Sequence, residues 1–135
     1  MASRRSWSVL AVGAAVLALS ACGAEAHPYS DLGGEATRQD ALPASLPEYA
    51  SRDLDIESSR YVGDDDGTRL WLARGAEEGT VCLVIVSAAE EWFVACGGEA
   101  GPMTTGGVVG SYTVHADHHP IPDDAVEISA NVYRR

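Results

Sequence analysis

Two apolar runs, "TVCLVIV" from Thr80 to Val86 and "EWFVAC" from Glu91 to Cys96, stand four residues apart, and each carries one cysteine. β-Branched and aromatic residues fill both runs, which suits extended backbone, and the short "SAAE" between them predicts a β-hairpin. Opposing Val86 with Trp92 also opposes Val84 with Val94 and Cys82 with Cys96. Directly facing positions on an antiparallel pair bring Cβ atoms close enough for a disulfide. The same register puts Val84, Val86, Trp92 and Val94 on the cysteine face, and Leu83, Ile85 and Phe93 on the other. Strands that are apolar on both faces belong where both faces are covered, so the hairpin is expected at the buried centre of a sheet.

Other segments extend this plan. "SRYVG" passes through "DDDG" into "TRLWLAR", a second hairpin whose Leu70 and Leu72 lie on one face and whose Arg69, Trp71 and Ala73 lie on the other. Asp and Gly tolerate the left-handed backbone of a tight turn, which fits "DDDG" better than a calcium loop, whose ligand spacing it lacks. "GSYTVHA" and "AVEISANVY" alternate between Gly and Pro boundaries and read as two more strands. In "LPASLPEYASRDLDIESS", from Leu42 to Ser59, prolines 43 and 47 leave room for one helical turn, placed after the acidic cap Asp55. The expected fold class is mainly β: a small antiparallel sheet of about six strands, meander-like and curled into a partial barrel or sandwich.

The amino-terminal segment has a different character. Arg4 and Arg5 precede an uncharged apolar run from Trp7 to Leu19, closed by Leu19-Ser20-Ala21-Cys22. This is the pattern of an export signal, and the 15 residues from Trp7 to Ala21 fall short of the roughly 20 that a membrane-crossing helix requires. Leu19-Ser20-Ala21-Cys22 resembles the lipobox of bacterial lipoproteins. The resemblance implies that the Cys22 thiol receives a diacylglycerol group and that cleavage occurs immediately before it. Ser3-Arg4-Arg5-Ser6-Trp7 is similar to a twin-arginine export motif, but Trp and Ser8 depart from it, and general secretion is the expected route. The expected organisation is a signal peptide over residues 1–21, a lipidated cysteine and flexible tether over 22–40, and a small β domain over 41–135. With Cys22 assigned to lipid, Cys82 and Cys96 form an even pair in an exported, oxidising setting, and a disulfide is expected. It closes a 15-residue loop, for which chain entropy gives about 3 kcal/mol. From Arg60 to Gly98 the chain also resembles short lipoproteins of unassigned function from high-GC Gram-positive bacteria. That resemblance implies location and a paired cysteine, and no activity.

Charge narrows the partners. Twenty carboxylates oppose nine Arg and no Lys, a net charge of −11; removal of residues 1–21 leaves seven Arg against 20 carboxylates, or −13. So acidic a surface repels nucleic acid, whose binding needs neutralising cations. The expected contacts are the membrane, through the anchor at the outer face of the cytoplasmic membrane, and an unknown protein or cell-wall partner.

Chemistry-bearing clusters are few. "HADHHP" offers His115, Asp117, His118 and His119, an N/O donor set that zinc or copper would accept if the loop turned one of the last two histidines back toward the first. A polar loop before the Pro120-x-Pro122 turn explains the same residues, and His27 joins them only if the tether folds back. No G-x-S-x-G occurs, and neither Gly97-Gly98 nor Gly106-Gly107 is followed by the Lys of a phosphate-binding loop. Glu90 and Glu91 sit in an exposed turn, unsuited to acid–base catalysis. Trp71, Trp92, Tyr61 and Tyr112 have the strand spacing of core and cross-strand partners. The sequence points to a non-enzymatic interaction domain, with metal or small-ligand binding at the histidine cluster as the alternative.

Overall fold

The computed structural model describes residues 28–135. The signal peptide, the lipobox with Cys22, and His27 lie outside the described residues. Two four-stranded antiparallel sheets make up the body, so the strands number eight rather than about six. The first is a meander of β1 (Leu54–Asp65), β2 (Thr68–Gly75), β3 (Thr80–Val86) and β4 (Trp92–Gly98) in sequence order. The second orders β5 (Met103–Thr105), β6 (Tyr112–Val114), β8 (Val132–Arg134) and β7 (Val126–Glu127).

The β3–β4 register is the one the apolar pattern requires. Val86 faces Trp92, Val84 faces Val94, and Cys82 faces Cys96, to which it is bonded. From Val81 to Val86 every β3 residue is buried. β4 departs from the expectation of a buried centre: it is the edge of its sheet, and Phe93 is 38 % exposed.

Period-two alternation divides the first sheet between two cores. Leu70, Leu72, Val81, Leu83 and Ile85 meet Tyr112, Val114 and Val132 of the second sheet, together with Tyr29 and Leu32. Trp71, Ala73, Cys82, Val84 and Val86 face the other way, under Leu42, Leu46 and Leu54. A one-residue slip would exchange these two sets, so the register is firmly specified. Trp71 is fixed further by Tyr61, edge-on at 5.3 Å, by the Arg69 guanidinium 5.7 Å from its ring, and by Nε1 donating to the Gln39 carbonyl at 3.3 Å.

The β1–β2 turn places Asp66 at φ 54° and Gly67 at φ 87°, the left-handed pair of a tight hairpin, with Gly67 N–H donating to Asp64 Oδ1 at 3.0 Å. Its carboxylates are not all solvated. Asp65 reaches across to the second sheet, accepting from Tyr112 Oη at 3.0 Å and from Arg134 Nη1 at 2.7 Å. Nearby, a Cβ on Gly63 would stand 2.7 Å from Ile128 Cγ2, so glycine permits the approach of the β7–β8 turn.

Three expectations need correction. "AVEISANVY" is two strands, because the N–H groups of Ile128 and Ser129 both donate to the Val132 carbonyl and turn the chain between β7 and β8. The helical turn is α1 (Glu48–Ser51), before Asp55 rather than after it, with Pro47 at its N-cap and a fixed φ suited to starting a helix. Residues 28–40 are not a tether. Tyr29 is 1 % and Leu32 5 % exposed, and two single-turn 3-10 helices, Ser30–Leu32 and Arg38–Asp40, lie in this segment. The second ends on buried Asp40, whose Oδ1 accepts from Tyr61 N–H at 2.8 Å on the outer strand β1. That contact shields an edge which would otherwise present unpaired donors. No helix among the described residues is long and apolar enough to cross a membrane.

Candidate functional site

The polar residues converge where the loop after β6 meets the turn before β8 and the segment Pro28–Leu32, here called the strap. Asn131 is the hub. It is fully buried, and every polar group it carries is engaged. Its Nδ2 donates to the His115 carbonyl at 2.9 Å and to Asp117 Oδ1 at 2.8 Å; its Oδ1 accepts from Asp31 N–H at 2.9 Å. Its backbone N–H donates to Asp31 Oδ2 at 2.9 Å, and its carbonyl accepts from His115 N–H at 2.9 Å. A buried amide is tolerated only when satisfied in this way.

The strap is tied down by the same residues. Asp117 N–H donates to the Pro28 carbonyl at 2.7 Å, and Asp117 Oδ1 accepts from Ser30 N–H at 3.1 Å and Ser30 Oγ at 3.0 Å. Ser129 Oγ donates to Asp31 Oδ2 at 2.6 Å. Partial burial pushes the Asp117 carboxyl up, but donation from Asn131 and Ser30 more than reverses this and holds it below the ordinary carboxylate range.

All four residues of the "HADHHP" cluster line one cavity of about 390 Å³, bounded also by Ser30 and Tyr133. Their roles differ. His115 is 6 % exposed, stands edge-on to Tyr133 at 5.7 Å, and has a buried Nε2 without a hydrogen-bond partner. Burial holds its pKa below the ordinary value, with His119 and Arg135 adding repulsion. His118 and His119 are exposed on a turn closed by His119 N–H donating to the Ala116 carbonyl, with His118 at φ 64°. Among the described residues no three His, Cys, Asp or Glu side chains are grouped to hold a metal ion, and the zinc or copper reading of His115, Asp117, His118 and His119 is withdrawn. Asp117 serves the strap instead.

Elsewhere, a second cavity of about 370 Å³ lies beside Asp40, between Leu42 and Ile56. Its carboxylate is occupied, because Thr37 donates to Oδ2 through both N–H and Oγ while Tyr61 takes Oδ1. Glu90 pairs with Arg69 on the surface at 2.9 Å. Trp71 and Tyr112 are buried, in keeping with core roles.

Asn131, Asp31 and Ser30 are the site residues that local pattern missed. Asp31 lies 100 positions from Asn131, and no spacing rule connects them. Alternation in "AVEISANVY" sets Asn131 with Glu127 and Ser129, opposite Val126, Ile128 and Val132, and so points away from the burial that the fold gives it. Compared with known proteins, the chain matches no family model, no curated protein and no solved structure.

Proposed function

We propose that the chain is an exported lipoprotein, held by Cys22 at the outer face of the cytoplasmic membrane, whose β domain acts by binding a protein or cell-wall partner rather than by catalysis. The observation that carries this reading is Leu19-Ser20-Ala21-Cys22 closing an apolar run that is too short to span a bilayer and follows Arg4 and Arg5. The Cys82–Cys96 bond supports it, since disulfides persist in oxidising compartments. Replacing Cys22 with Ser is expected to release the protein or to leave an uncleaved precursor. Unchanged membrane association and processing would overturn the reading. Crosslinking on intact cells, with the same variant as control, is then expected to capture a partner only when the anchor is present.

A second reading is favoured by the cavity beside His115, where exposed imidazoles ring a pocket of small-molecule size. Native mass spectrometry of protein taken from its own host is expected to find a bound small molecule, lost on joint replacement of His118 and His119 by Ala. Protein of bare mass would remove this reading.

A further inference from the structure

His115 is the one buried histidine among the described residues, and its surroundings suit only the neutral ring. Its backbone is bonded to Asn131 through both N–H and C=O, its ring is set against Tyr133, and Nε2 is closed off from water without a partner. Protonation makes both ring nitrogens donors and gives the ring a full charge inside the protein. None of the packed elements supplies compensation. On its own loop stand His119, which repels the proton, His118, and Asp117, whose Oδ1 is taken by Ser30 and Asn131. From β8 and beyond come the neutral Tyr133 and Arg135, the latter also repelling. On the strap, Asp31 Oδ2 is committed to Asn131 and Ser129. Among the described residues His115 has no ion-pair partner.

We propose that His115 is a proton-operated latch: when its ring takes up a proton, the strap Pro28–Leu32 parts from the loop after β6, and Tyr29 and Leu32 enter water. The strap yields first because the fastenings of Pro28, Ser30 and Asp31 all run through Asp117, Asn131 or Ser129, beside His115, and the remaining one, Tyr29 Oη donating to the Glu99 carbonyl, is long at 3.4 Å. The first sheet is held by backbone ladders and a disulfide, neither of which titrates here. The sign follows from burial. A histidine that resists protonation when folded contributes stability above its ordinary value, and this is lost as pH falls below it. If the domain is anchored as proposed above, opening lengthens the link between Cys22 and the body. That consequence rests on the anchored reading, whereas the latch does not.

Amide hydrogen exchange on the intact chain in mild detergent tests the latch. On acidification from about pH 7.5 to about pH 5.5, Ser30, Asp31 and Asp117 amides should gain roughly tenfold in exchange relative to Leu83 and Ile85, after correction for intrinsic rates. Such a gain is the limit for one proton at one unit below the ordinary histidine value. His115→Phe keeps a ring against Tyr133, removes the titration, and should flatten the response. An unchanged ratio in the native chain, or an undiminished response in His115→Phe, would overturn the proposal. Should that variant fail to fold, NMR titration of the His115 ring in the native chain decides: a midpoint below the ordinary value supports the latch, and one at or above it refutes it. The Cys22→Ser experiment reads membrane attachment alone, so failure of the anchor and failure of the latch remain distinguishable.

Discussion

The two sheets have equal strand numbers and are held in different ways. In the first, strands of 7 to 12 residues form long ladders, interrupted only in β1–β2 by register shifts between Asp55 and Arg60 and between Tyr61 and Gly63, and their side chains fill a core on each face. In the second, strands of 2 or 3 residues could not stand alone, and polar side chains around Asn131 complete what the ladders leave undone. Local apolar pattern suffices to specify a sheet of the first kind; a sheet of the second kind needs partners far along the chain. The price of that second solution is exposure to pH, since its fastenings include ionisable groups.

The contrast can be broken most severely at the hub. Asn131→Ala leaves donors and acceptors of Asp31, His115 and Asp117 without partners inside the protein, and is expected to cost about 3–5 kcal/mol in urea unfolding. A cost below about 1 kcal/mol would mean that the second sheet rests on its apolar contacts after all. Replacing Cys82 and Cys96 together by Ala tests the first sheet. The expected loss is about 3 kcal/mol from chain entropy, and far-UV circular dichroism should still report β structure because the ladder and the buried faces remain.

Titration sharpens the comparison without touching either core. Asp40 and Asp117 both lie below the ordinary carboxylate range: burial pushes each up, and donors from Thr37 and Tyr61 for the first, Asn131 and Ser30 for the second, pull each further down. Folded values below unfolded ones give stability that is present above the ordinary range and lost as pH falls through the lowered values. Thermal unfolding between about pH 5 and about pH 2 should therefore show a declining melting temperature, less steep in Asp117→Asn. At the alkaline end, burial and then Asp65 push the Tyr112 hydroxyl up to about 12. Stability should hold below about pH 10 and decline toward pH 12, with Tyr112→Phe flattening that limb. The smallest effect is expected at Arg69, whose pairing with Glu90 is solvated at 34 % and 66 % side-chain exposure. Arg69→Ala should cost no more than about 1 kcal/mol, and high salt should reduce even that.

Legibility followed the same division. The β3–β4 register, the disulfide, the Asp66-Gly67 turn and the two faces of β2 were all readable, because each depends on residues within one or two turns of one another. β5 was missed: "MTT" is too short to alternate visibly, and it pairs only because β6 lies beside it. The strap was misread for a related reason. Its composition is that of a linker, and two apolar anchors, Tyr29 and Leu32, are too sparse to register as an element. What holds them is supplied by residues far along the chain, from Leu70 to Val132. The histidine cluster was recognised as a place, since its members do line one cavity, but its chemistry was misassigned. Sequence spacing cannot show that Asp117 is already engaged.

The bond pattern around Asn131 also sets an order of events in biosynthesis. Asp31 is made 100 residues before the partner that holds it, and Asp65 precedes Tyr112 by 47. A chain emerging amino end first can complete β1 to β4, and seal Cys82 to Cys96, while Ser30 and Asp31 of the strap still lack their polar partners. Tyr29 and Leu32 can rest only on the inner face of the first sheet until Tyr112, Val114 and Val132 arrive to complete their core. For that interval two apolar side chains are covered on one side alone, and the last strands to appear are the ones that enclose them.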